Sequence, residues 1–171
     1  MKAMTMMAIV AALGAAQTAG AMTLTSSDVR DGATMVPEQV YTECSGGNVS
    51  PALSWSGAPT GTASFALTLY DPNGGPHGWW HWLVANIPAT TASLGKGASP
   101  SGALLLKNDY DHARYDGPCP PKGSGLHHYQ FTLYAMPAGV TFDPDGTPAA
   151  NGAAIAKAAL AKATLTGLYE R

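Results

Sequence analysis

The chain has 171 residues, of which 46% are hydrophobic and 12% charged, with a formal net charge of −2. A length of this order fits one packed core, and so apolar a composition excludes wholesale disorder. The charge balance provides neither the basic face that nucleic acid requires nor a polybasic patch for an anionic membrane surface.

The N-terminus reads MKAMTMMAIVAALGAAQTAGAM. Lys2 gives a positive start, residues 6–16 an apolar run too short to span a bilayer comfortably, and Ala19 and Ala21 an A-x-A cleavage pattern. Residues 1–21 are therefore expected to be a signal peptide, cut before Met22. Residues 22–171 are expected to be a single exported domain, periplasmic or secreted, with no stable membrane insertion after cleavage. An uncleaved anchor helix is the alternative. No cysteine follows the cut, so a lipid-modified N-terminus is not indicated. The two cysteines, Cys44 and Cys119, are expected to form one disulfide, as an even pair in an exported chain usually does. The other reading makes Cys119 a nucleophile with His127 as its base, but a bridged cysteine has no thiolate to offer.

With 20 glycines and 13 prolines punctuating short apolar runs, the chain reads as β-rich. CSGGNVSP (44–51) is loop chemistry, and a short strand is expected at 53–55. In residues 62–70, Phe65, Leu67 and Leu69 alternate with Ala66, Thr68 and Tyr70, which predicts a strand with one buried face; Asp71 continues the apolar parity. In residues 81–87, His81 shares parity with Leu83, Ala85 and Ile87. In residues 126–136, His127 and Tyr129 share parity with Phe131, Leu133 and Ala135, while His128 points the other way. An Ala-rich helix is expected from an Asn151 cap to about residue 163, then a last strand over 164–171 with a bulge or bend at Gly167.

Asp71, His81, His127 and Tyr129 thus sit at strand ends on the inner side. One buried polar residue is ordinarily satisfied by backbone. Four together, each costly to bury unpaired, suggest a pocket. The stretch DPNGGPHGWWHWLVANIP (71–88) holds Asp71, His77, His81 and three tryptophans. The loop GPCPPKGSG (117–125) leads into His127, stiffened by its prolines and opened by its glycines. Backbone and imidazole N–H groups would suit a phosphate or carboxylate oxygen there.

These motifs resemble the phosphatidylethanolamine-binding protein (PEBP) family, in its bacterial YbhB/YbcL or Raf-kinase-inhibitor-like branch. The likeness runs through DG (31–32), CSGGNVSPALSW (44–55), LYDPNGGP (69–76), GWWHWLVANIP (78–88), YDGPCPPKGSGLHHYQFTLYAM (115–136) and GLYER (167–171). It implies a mainly β fold with few helices: a central antiparallel β-sheet, a small second sheet and a short helix in the C-terminal region. It also implies a shallow anion pocket, with Asp71, His81, Gly117, Pro118, Pro121, His127 and Tyr129 as ligand-binding residues and Trp79 as a wall. Two departures stand out. Asn73 replaces an acid of the family's DPDAP motif, and the sequence stops at Arg171 without the C-terminal helix of eukaryotic members, so a more open pocket is expected.

The function expected on this basis is non-enzymatic binding of a small phosphate-type anion or phospholipid head group, with no cofactor, no metal and no catalytic residue. A modulated protein partner and a homodimer are left open. One alternative is inhibition of a protease or kinase by protein contact. Another is a metal-dependent hydrolase using His77, His81, His127 and Asp71, although no HExxH or CxxC spacing supports it. A serine hydrolase is not supported, because no G-x-S-x-G elbow is present.

Overall fold

The computed structural model describes residues 21–171; the expected signal peptide lies outside the described residues but for Ala21. The elements in chain order are β1 (Thr23–Ser26), β2 (Ala33–Thr34), a 3-10 turn (Thr42–Cys44), β3 (Leu53–Ser56), β4 (Ser64–Asp71), β5 (Trp79–Pro88), β6 (Ser93–Leu94), β7 (Leu104–Leu106), β8 (His127–Met136), α1 (Pro148–Ala158) and β9 (Ala161–Tyr169). A small sheet has the order β1-β3-β6, and a six-stranded sheet the order β2-β9-β8-β4-β5-β7. All pairings are antiparallel except β2 with β9. The expected mainly β architecture of two sheets and one C-terminal-region helix is what forms.

The main core lies between the sheets. Leu24, Leu53, Trp55 and Leu94 of the small sheet cluster with Phe65, Leu67, Leu69, Trp82, Val84, Ile87, Phe131 and Leu133 of the large one. The other face of the large sheet is covered too. Ala66, Tyr134 and Met136 pack with Ile155 of α1, and Leu83, Ala85 and Leu106 pack with Trp80 and Phe142. Strand β4 therefore buries both faces, not one. Ala66 and Thr68 are small enough to look indifferent in sequence, yet they meet a covering layer.

Strand β5 departs from simple alternation. Leu69 pairs with Trp82 but Tyr70 pairs with Trp80, so His81 is the extra residue of a β-bulge. A second irregularity falls between the Leu67–Val84 and Phe65–Ile87 pairs, where Asn86 has φ of 57°. Trp82, Val84 and Ile87 face the main core, whereas Leu83 and Ala85 face the covering layer. The shared parity of His81 with Leu83 and Ala85 thus does not describe its neighbours. The bulge, not the alternation, turns His81 to the inner side.

The C-terminal region differs from expectation in three ways. Thr147, in extended conformation, caps α1 by accepting from the Ala150 N–H, and Pro148 occupies the first turn. Asn151 is inside the helix instead, where its amide accepts from the Asp143 N–H and donates to the Asp143 carbonyl. The helix stops at Ala158 because the chain is drawn into the sheet: the Leu160 N–H donates to the Ala135 carbonyl and β9 begins. Gly167 makes no bulge; β9 pairs with β8 in unbroken register from Ala161 to Tyr169. A side chain at 167 would strike the Met35 side chain, which would have to move to admit it.

Candidate functional site

Strands β4, β5 and β8 end together at one edge of the large sheet. Asp71 closes β4, Trp79 and His81 open β5, and His127 and Tyr129 open β8. These five side chains line a cavity of about 620 Å³. Its far wall is Cys119, Pro120, Pro121, Ser124 and Leu126 from the Pro/Gly loop, with Tyr110 and the 73–75 turn completing the rim. No lysine or arginine is among the lining residues.

Asp71 is 2% exposed and uses both oxygens. Oδ2 lies 2.6 Å from His127 Nδ1, and Oδ1 accepts the Asn73 N–H at 2.9 Å. The other ring nitrogen of His127 lies 3.0 Å from Ser124 Oγ, and the Ser124 hydroxyl donates to the Pro121 carbonyl at 2.8 Å. Asp71, His127 and Ser124 therefore form a line, carboxylate to imidazole to hydroxyl.

His81, also 2% exposed, places Nδ1 2.9 Å from the Asp116 carbonyl. Burial lowers its pKa to about 4, against the opposing pull of the Asp116 carbonyl and the Asp71 and Asp116 charges. Tyr129 stands 5.2 Å and Tyr110 5.8 Å from the His81 ring, both edge-on. Burial, then the Asp71 charge, holds the Tyr129 hydroxyl well above the usual tyrosine range, and burial pushes Tyr110 up to about 12. Both remain neutral hydroxyls. The indole of Trp79 packs 5.4 Å from Tyr110, with its N–H buried and unpartnered by protein.

The family model described as phosphatidylethanolamine-binding protein matches residues 25–170. The chain belongs to the phosphatidylethanolamine-binding protein family. It is 38% identical over 181 residues to the UPF0098 protein YbcL of Escherichia coli (strain K12), with 99% of each chain covered. Against YbhB of the same organism it is 37% identical over 158 residues, covering 86% of this chain and 99% of YbhB. The crystal structure of Escherichia coli YbcL superposes with a TM-score of 0.83 at 39% identity, covering 89% of this chain and 99% of the other.

In this PEBP-family chain the structure brings together Asp71, Trp79, His81, Pro121, His127 and Tyr129. It places Gly117 and Pro118 elsewhere. Neither lines the cavity; both fasten the loop from behind. The Gly117 N–H donates to Asn48 Oδ1 and the Pro118 carbonyl accepts the Tyr41 N–H. A side chain at 117 would collide with the Gln39 carbonyl, which is why glycine stands there. The Cys44–Cys119 disulfide is formed and pins the same loop to the 44–51 segment.

The loop is also poorer in donors than its glycines suggest, since Pro120 and Pro121 have no N–H. His77 is exposed; its carbonyl accepts the Tyr70 hydroxyl. His128 lies on the other side of β8, as parity predicted, where its ring and its N–H both meet Asn73 Oδ1. Among the described residues no three His, Cys, Asp or Glu side chains are grouped as metal ligands.

Sequence reasoning missed Ser124 and Tyr110. Ser124 is three residues before His127 in a Gly-flanked turn, a spacing that could have marked it. Tyr110 sits in a loop with no pattern to single it out.

Proposed function

We propose that this family member is a ligand-binding protein, non-enzymatic and exported, whose cavity takes a small ligand with a phosphate-type head group. The convergence of Asp71, His81, His127 and Tyr129 from three strands onto one cavity carries the reading. Buried polar groups are ordinarily saturated by protein. Here several present unused capacity to a space of small-molecule size, walled by Trp79, Tyr110 and two prolines. The leader-like N-terminal sequence and the disulfide support export. Calorimetric titration with phenyl phosphate near pH 6 tests the binding claim. Saturable 1:1 binding is expected, weakened at least tenfold, or by about 1.4 kcal/mol, in His127→Gln. Equal affinity of the two proteins would sink it.

A second reading has one specific observation in its favour. The Ser124–His127–Asp71 line has the order of a nucleophile, its base and the group that orients the base. Against it, the Ser124 hydroxyl donates to Pro121 rather than to the imidazole. Ser124→Ala separates the two. A binder keeps its phenyl phosphate affinity within a few fold, whereas an acyl-transfer enzyme hydrolyses p-nitrophenyl esters and loses that activity with the serine.

A further inference from the structure

The hydrogen bonding of His81 limits what the ligand can be. Nδ1 lies 2.9 Å from the Asp116 carbonyl oxygen. A carbonyl only accepts, so Nδ1 carries the hydrogen. A neutral imidazole has one N–H, and here it is spent on the protein. Nε2 then presents a lone pair. No protein atom bonds Nε2, and it is absent from the fully enclosed polar atoms without partners, which are Gln39 Nε2, Trp55 Nε1 and Trp79 Nε1. Since the residue is 2% exposed and lines the cavity, Nε2 opens into it.

Burial keeps the ring neutral against the pull of the acceptors that face it. Asp71 comes from β4, the rings of Tyr129 and Tyr110 from β8 and a loop, and the Asp116 and Gly117 carbonyls from behind. The ring titrates near 4, with burial the dominant cause. His127, the other imidazole, has both nitrogens engaged, with Asp71 and with Ser124. A fully ionised anion would set its lone pairs against that of His81.

We propose that the ligand donates a hydrogen to His81 Nε2, so that the cavity takes a phosphate monoester in its hydrogen-bearing monoanionic form and rejects sulfate esters and phosphodiesters. The inference rests on the phosphate-binding reading and narrows it. A sulfate ester has the same tetrahedral shape and the same single charge as the hydrogen phosphate ester but no hydrogen to give. Sites built around one ligand hydrogen reject the analogue that lacks it by large factors, because a buried acceptor is left unpaired. The diester of an intact phospholipid head group falls on the rejected side, which leaves the ligand among phosphate monoesters.

The test titrates the full chain, disulfide intact, with phenyl phosphate, phenyl sulfate and glycerophosphoethanolamine from about pH 5 to about pH 8. Phenyl phosphate is expected to bind, and its apparent affinity to fall about tenfold per pH unit above its second ionisation near pH 6. Phenyl sulfate and glycerophosphoethanolamine are expected to bind at least ~100-fold more weakly at the acid end. Long-range nitrogen–proton spectra are expected to show His81 with hydrogen on Nδ1 alone, before and after phenyl phosphate is added. If phenyl sulfate binds within a few fold of phenyl phosphate, or His81 becomes doubly protonated on binding, the inference is wrong while anion binding stands. Tighter binding of glycerophosphoethanolamine than of phenyl phosphate also overturns it, with the ammonium then serving as donor. If none of the three binds at millimolar concentration, the phosphate-binding reading falls as well.

Discussion

Two buried carboxylates, Asp71 and Asp116, stand on either side of His81 and are built to opposite ends. Asp116 is 0% exposed and saturated by side chains. Oδ1 accepts from Asn48 Nδ2 and Arg114 Nε, and Oδ2 from Asn108 Nδ2 and His112 Nδ1 at 2.8 Å each. It lines no part of the cavity. Asp71 has one backbone N–H and one imidazole as partners, and its surroundings open into that cavity. The difference separates structure from site. Four converging donors lock loops in place, whereas an acid with two partners and a space beside it is positioned for something outside the protein.

The largest expected effect is on the loop that follows Asp116. Replacing both Cys44 and Cys119 by serine opens a 75-residue separation. The chain-entropy model puts the loss at about 4 kcal/mol, read by denaturant unfolding. A loss below about 1 kcal/mol would mean that the loop is held without the bridge. Next comes Asp116→Ala, which removes the shared acceptor of Asn48, Asn108, His112 and Arg114. About 3 kcal/mol or more of stability should go, as when one partner of a buried charged network is deleted. A much smaller loss would break the contrast with Asp71.

The pH dependence follows from His81. Its folded pKa is depressed to about 4, below the ordinary value of 6.5, so in that window the unfolded chain binds the extra proton. Stability therefore rises with pH through the window and is lost on acidification. The His81 share is about 2 kcal/mol between about pH 7.5 and about pH 5. Comparing unfolding curves of the wild type and His81→Gln across that range isolates it. Parallel pH profiles would show that His81 is not a neutral buried ring.

The smallest effect concerns the rim. Asn73 donates its backbone N–H to Asp71 and accepts from His128, and an aspartate can do both. Asn73→Asp should change stability by less than about 0.5 kcal/mol. Phenyl phosphate affinity should change by less than about threefold. A larger change would put the rim inside the site.

Strand parity found Asp71, His127 and Tyr129 because β4 and β8 pair without interruption from Ser64–Met136 to Tyr70–Gln130. It reached the right side for His81 on a false premise. The bulge that turns this ring inward depends on pairing with β4, which no local pattern in residues 81–87 encodes. The second buried face of β4 was hidden for a similar reason, since Ala66 and Thr68 are apolar-neutral until α1 and its neighbours cover them. Gly117 and Pro118 show the opposite failure. Their motif was visible, but a glycine that admits a neighbouring backbone reads the same as one that admits a ligand. Ser124 and Tyr110 belong to loops, where side-chain direction has no period to reveal it.

The most direct test of the cavity's role is a proton–nitrogen correlation spectrum titrated with phenyl phosphate near pH 6. The indole ring of Trp79 lines the cavity, its N–H enclosed without a protein partner, while Trp55 and Trp82 lie in the main core. The account predicts saturable movement of the Trp79 indole signal and of the Ser124 and Leu126 amides, with the Trp55 and Trp82 indoles still. An unmoved Trp79 signal at millimolar ligand, or shifts centred on the small sheet, would contradict it.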